Sequence, residues 1–139
     1  MDNINKKTSY IAIASDTINP AHINLIDKAS KKGKLTIGVL TDQAIATYKR
    51  LPSLSINDRI VMAESIKGVS RVVIQEELDY TKNLKKYKPD YLFHGDEWKE
   101  GFQKQVRQKA IEAISEWGGK LIEIPYCEDY PDTLRATPY

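Results

Sequence analysis

The apolar run Tyr10–Ala14 breaks at Ser15-Asp16 and gives way, after Asn19-Pro20, to a segment of helical periodicity. No other stretch constrains the fold as strongly. Asn is a good N-cap, and Pro at the first helical position presets φ while giving up an N–H that would have no partner there. A strand that turns at once into a helix starting at Pro20 is therefore predicted. The free N–H groups and positive dipole end of such a helix, set at the carboxyl edge of a parallel sheet, form a natural anion site. His22, in the first turn, would face the same anion.

Short apolar runs alternate with helical stripes along the rest of the chain, as in an α/β domain. Strands are expected at Tyr10–Ala14, Leu35–Leu40, Arg71–Ile74, Tyr91–His94 and Lys120–Ile124, each apolar enough to be buried on both faces. The first helix puts Ile23, Leu25, Ile26 and Ala29 largely on one side, with Gly33 as its stop. A second begins near Ser55, a plausible N-cap, with Ile56, Ile60, Ala63 and Ile66 inward. A third runs from about Gly101 to Trp117 on the stripe Phe102, Val106, Ala110, Ile111, Ile114 and Trp117, and Gly118-Gly119 ends it. The segment Thr47–Ser53, with the basic pair Lys49-Arg50 beside Pro52, reads as a loop. The fold expected is a Rossmann-like, doubly wound parallel five-stranded sheet in a single α/β domain over residues 1–139.

Composition limits the function classes. Lys and Arg number 21 against 19 acids, and a net charge of +2 does not by itself point to a nucleic-acid partner. The single cysteine, Cys127, forms no internal disulfide and no metal cluster, which suits a reducing cytoplasm. No run approaches the roughly 18–20 apolar residues that span a bilayer, and the N-terminus lacks the apolar stretch of a signal peptide. A cytoplasmic protein without a membrane partner is expected.

The stretch from Asp16 to His22 resembles the signature of the cytidylyltransferase-like nucleotidyltransferases, in which a strand ending in GTFD or a relative leads into a helix opening with HxGH. Asp16 and His22 stand where the family has its Asp and second His. Asn19 replaces the first His and Ala21 the Gly, so the motif here reads Asn-Pro-Ala-His. Within the family the chain is most similar to the cytidylyltransferase domains of phosphonate pathways, often fused to phosphoenolpyruvate mutase. That similarity is carried by the run from Leu40 to Pro52, by Lys88-Pro89-Asp90-Tyr91 through Trp98, and by Glu116-Trp117-Gly118-Gly119. Such agreement in order and spacing is more specific than one short motif.

The resemblance implies transfer of CMP from CTP, with Mg²⁺, to a small phosphonate or phosphoalcohol, and release of pyrophosphate. It implies catalytic roles for His22, Asn19 and Lys49, the last as a phosphate-binding lysine after the second strand. It places the nucleotide against Ser15, Asp16, Gly95, Asp96, Trp98 and Thr133, with Arg59 reaching a phosphate of the acceptor or leaving group. It further implies a homodimer and, in a longer polypeptide, fusion to a mutase domain. Each residue also has a plainer reading. Lys49-Arg50 is a solvated pair at a helix end, Arg59 a surface ion pair with Asp58 or Glu64, and Trp98 a packing residue of the turn. His94 reads as a strand-end residue. The family's TEGISST-like tail is here Cys127-Glu128-Asp129-Tyr130-Pro131-Asp132-Thr133, where the Gly and both serines are absent. Two departures in one site keep a second reading open, a domain that has lost turnover and serves as a binding, regulatory or assembly module. A glycerol-phosphate or ethanolamine-phosphate cytidylyltransferase is the third.

Overall fold

Strand β1 (Thr8–Ile13) sends Ile11 and Ile13 to one face and Tyr10 and Ala12 to the other, so both faces need a cover. The computed structural model describes residues 7–14, 18 and 20–125, with the side chains of Glu97 and Phe102 outside that description. After β1 come α1 (Pro20–Lys32), β2 (Lys34–Leu40), α2 (Asp42–Ala46), α3 (Ile56–Glu64), β3 (Val69–Gln75), α4 (Thr81–Tyr87), β4 (Tyr91–Gly95), α5 (Lys104–Ser115) and β5 (Lys120–Ile124). Two 3₁₀ turns, Asp96–Lys99 and Gly101–Gln103, join β4 to α5. All five strands pair in parallel in the order β3–β2–β1–β4–β5.

Helices α1 and α3 cover one face, where Ile11, Ile13, Ile26, Leu35, Ile37, Val39, Ala63 and Phe93 form the larger core. Helices α4 and α5 cover the other, around Tyr10, Leu84, Leu92, Trp98, Ala110 and Ile114. On that second face the Tyr10 hydroxyl donates to Gln75 Oε1 (2.6 Å) and accepts from Asn83 Nδ2 (3.0 Å), which also reaches Ile74 O (3.0 Å). Burial pushes the Tyr10 phenol well above the ordinary tyrosine range, so it stays a neutral donor. Gly38 makes room for it, since a Cβ there would overlap the Tyr10 hydroxyl.

Helix α1 starts at Pro20 as the sequence predicts, and Ser55 caps α3 by accepting from Asp58 N at 3.2 Å. Gly33 does follow α1, for a reason the sequence does not display: a Cβ there would lie 2.7 Å from the Lys7 carbonyl oxygen. The structure corrects several expectations. Strand β3 extends three residues beyond the predicted limits in total, and as a sheet edge it leaves Ser70, Arg71 and Ile74 exposed. The other edge strand, β5, is likewise only half-buried after Lys120. Ile23 of α1 is 45% exposed and does not join its inward stripe. Helices α2 and α4 were not expected; neither is long enough to show periodicity, and α4 buries only Asn83 and Leu84. Helix α5 begins at Lys104, after the 3₁₀ turn that holds Gly101. Among the described residues no helix is long and apolar enough to cross a membrane.

Candidate active site

The connection from β1 runs through α1 to β2 and that from β4 through α5 to β5, on opposite faces of the sheet. Open α/β sheets bind ligands at such a switch point, outside the carboxyl ends of the strands. A polar cleft of about 210 Å³ lies there, lined by His22, Tyr48, Lys49, Tyr80, His94 and Gln103 over the strand ends Ile13 and Leu40. Beside it a smaller cavity of about 60 Å³ is bordered by Ala21, His22, Gly95 and Pro125. His22 borders both.

Each side chain reaches the cleft by a local device. His22 is the third residue of α1, in the turn whose N–H groups lack intrahelical partners. Lys49 follows α2, its N–H bound to Ile45 O (3.0 Å) and its ammonium 5.5 Å from the centre of the Tyr48 ring. Burial raises the Tyr48 phenol above its ordinary range, so Tyr48 adds no negative charge beside the lysine. Helix α2, which leads into this pair, is capped by Thr41 Oγ1 accepting from Ala44 N at 3.1 Å.

His94 enters from β4. Its Nδ1 is 2.8 Å from Gly95 O, and its ring lies on Trp98 with centroids 3.5 Å apart and planes 1° from parallel. Trp98 is 1% exposed, takes Tyr80 on an edge at 5.5 Å, and donates Nε1–H to Glu123 Oε2 at 2.7 Å. Arg107 donates to both oxygens of Glu123, Nε to Oε2 at 2.8 Å and Nη2 to Oε1 at 3.1 Å, and Lys99 stands 3.7 Å away. Those bonds from Arg107, helped by Trp98 and Lys99, hold the Glu123 carboxyl below the usual range despite its burial.

Of the residues singled out in the sequence, the structure brings His22 and Lys49 to one cleft and Gly95 to its neighbour. Asp96 opens the 3₁₀ turn after Gly95 and is half-buried. Trp98 is a buried support behind His94, not an open face. Arg59 is spent on the protein itself: it donates to Leu40 O (2.7 Å), Asp42 Oδ1 (2.7 Å) and Leu54 O (3.3 Å), with its side chain 2% exposed. Its ionic partner is therefore Asp42, and neither Asp58 nor Glu64. Ser15, Asp16, Asn19 and Thr133 lie outside the described residues. His94, in the sequence a strand-end residue, also lines the cleft, and a polar residue closing an apolar strand before a glycine is a readable signal for that position. Tyr80 carried none, because α4 was not foreseen.

A family profile described as cytidylyltransferase-like matches residues 16–130. The chain is 26% identical over 119 residues to the FAD synthase of Methanopyrus kandleri, covering 83% of this chain and 75% of that one. It is 24% identical over 119 residues to the FAD synthase of Methanocella paludicola, covering 84% and 81%. Ethanolamine-phosphate cytidylyltransferase of Arabidopsis thaliana is 28% identical over 94 residues, 63% of this chain and 22% of that protein. These named relatives are not the phosphonate-pathway enzymes to which the sequence motifs point. Among solved structures, the lipopolysaccharide core biosynthesis protein from Thermoplasma volcanium superposes with a TM-score of 0.72 at 21% identity, covering 88% of this chain and 98% of that one. That likeness fits the five-stranded α/β fold.

Proposed function

The chain belongs to the cytidylyltransferase-like family of nucleotidyltransferases, and we propose that it transfers CMP from CTP to a small phosphonate or phosphoalcohol and releases pyrophosphate. The observation that carries this reading is His22, on the first turn of α1, bordering both cavities while Lys49 lines the larger. The acceptor's phosphoryl oxygen attacks the α-phosphorus in line. One P–O bond forms to the acceptor, the α–β bridging bond breaks, and the electron pair leaves on pyrophosphate. Catalysis of this kind is positioning and charge stabilisation and needs no protein nucleophile. His22 and the N–H groups of α1 face the α-phosphate, and Lys49 steadies the β- and γ-phosphates.

The described residues contain no group of three or more His, Cys, Asp or Glu side chains able to hold a metal. Mg²⁺ would therefore enter as a companion of the triphosphate and not on a cluster of protein ligands. When bound it would neutralise charge on the phosphate chain. The same reading carries with it a homodimer and, in a longer polypeptide, a neighbouring mutase domain.

One observation favours a second reading, a domain that binds nucleotide and no longer turns it over. Ala21 borders the smaller cavity, so a methyl group stands where the family motif has a bare backbone, and Asn19 brings a hydrogen bond without a charge. Phosphorus NMR of the protein with CTP and an aminoalkylphosphonate, phosphoethanolamine or glycerol 3-phosphate tests the proposal, with ATP and FMN as the pair suggested by the FAD synthases. A CMP–acceptor signal with pyrophosphate supports it. An FAD product from ATP would replace it, and no product from any pair would favour the second reading.

A further inference from the structure

His94 shares the 210 Å³ cleft with His22 and Lys49 but comes from the other side of the switch point, from β4 instead of α1 or the segment after α2. We infer that His94 is a phosphate ligand of this cleft, supplying from β4 a second imidazole donor where the first motif, with Asn19, has none. This inference rests on the reading of the cleft as a nucleotide site.

Three features of the geometry support it. The Gly95 carbonyl oxygen, 2.8 Å from Nδ1, accepts the Nδ1–H hydrogen bond, so that in the protonated ring Nε2–H is the second donor. The flat stack on Trp98, with centroids 3.5 Å apart, fixes the plane of the imidazole ring. The indole is itself fixed, because Glu123 accepts its N–H and is held in turn by both arms of the Arg107 fork. Trp98, Glu123 and Arg107 are thus positioning residues, and they set the ring plane without occupying the cleft. The titratable and charged groups around His94 are His22, Tyr48, Lys49 and Tyr80 along the cleft, Asp96 on the following turn, and Glu123, Lys99 and Arg107 behind Trp98. A phosphate chain entering the cleft therefore meets His22 and Lys49 on one side and His94 on the other.

The test is calorimetric titration of the full chain with inorganic pyrophosphate and, separately, with CTP and Mg²⁺, at about pH 6 and pH 8, for the unmodified protein and for His94→Gln, His22→Gln and Trp98→Phe. Thermal melting confirms that each variant is folded, and His94→Asn replaces His94→Gln if that variant is not. The expected result is pyrophosphate binding roughly 10-fold or more weaker in His94→Gln at pH 6, with a much smaller loss at pH 8. Trp98→Phe, which keeps a ring but loses the bond to Glu123, should show a part of the same pH-dependent loss. If folded His94→Gln binds pyrophosphate as tightly as the unmodified protein at both pH values, the inference is overturned, whatever CTP does. If pyrophosphate binding depends on His94 while CTP does not bind, His94 stands as a phosphate ligand and the cytidylyltransferase reading falls. Absence of binding by either probe to the unmodified protein overturns both.

Discussion

The Arg59 guanidinium, 2% exposed, binds Asp42 Oδ1 at 2.7 Å while its other nitrogens hold the carbonyl oxygens of Leu40 and Leu54. One side chain thereby ties the end of β2, the first residue of α2 and the loop before α3, and so sets the base from which Lys49 reaches the cleft. Arg59→Met removes three bonds to a charged donor and leaves the buried Leu40 carbonyl without this partner. It should destabilise the fold by about 2–4 kcal/mol, read as a fall in Tm on the order of 8–16 °C. Asp42→Asn should cost much less, because Asp42 is half exposed.

Gly38 and Tyr10 form a second dependent pair. Gly38→Ala forces its methyl group against the Tyr10 hydroxyl, an overpacking cost of about 1–3 kcal/mol. Tyr10→Phe leaves Gln75 and Asn83 short of a buried partner, at about 1–3 kcal/mol. The double variant should be less destabilised than the sum of the singles, since Phe removes the nearest of the atoms that Ala meets, although the Tyr10 ring carbon at 2.8 Å remains. Denaturant midpoints of the four proteins measure the coupling, and strict additivity would contradict this packing.

These two sites show what the sequence could and could not reveal. Pro20 and Ser55 mark the starts of α1 and α3 in the sequence because helix-start chemistry is local. The parallel sheet followed from short apolar runs spaced by helical stripes. The resemblance gives Arg59 a phosphate role and the nearby sequence offers it Asp58 or Glu64; its actual partner, Asp42, lies 17 positions away and meets it only when β2 and α3 pack. The pairing of Trp98 with Glu123 across 25 positions was hidden in the same way. Helices α2 and α4 escaped because five and seven residues complete too few turns to show a period. The cleft was readable at His22, where motif and helix start coincide, and at Lys49 through the family resemblance, whereas His94 reads in the sequence only as a strand-end residue.

Acid should weaken the protein through Glu123 and Asp79. Bonds from Arg107 hold Glu123 below its ordinary range. For Asp79 burial acts upward, but hydrogen bonds from Thr81 and the Lys109 ammonium outweigh it. A carboxyl whose folded value lies below its unfolded one adds stability that is fully present above the unfolded value, about 4 for these groups, and is lost as pH falls through the folded value. The Tm of the unmodified protein should exceed that of Glu123→Gln near neutral pH, and the gap should close below about pH 4. A gap that stays constant or widens on acidification would show that Glu123 acts through packing alone.

At the head of α1, His22→Ala should abolish turnover while leaving Tm nearly unchanged, because His22 is only half-buried. Asn19→His together with Ala21→Gly should raise turnover by on the order of 10²–10³ if that motif alone limits the site. Equal losses of fold and activity in the first variant would mark His22 as a packing residue.

The most direct measurement is calorimetric titration of the unmodified chain with CTP and Mg²⁺, beside ATP and Mg²⁺ and beside the Lys49→Ala variant. The account predicts saturable binding that prefers CTP and weakens at least about tenfold without the lysine, as expected for losing a charged phosphate contact. Binding of neither nucleotide, or CTP binding untouched by Lys49→Ala, would contradict it.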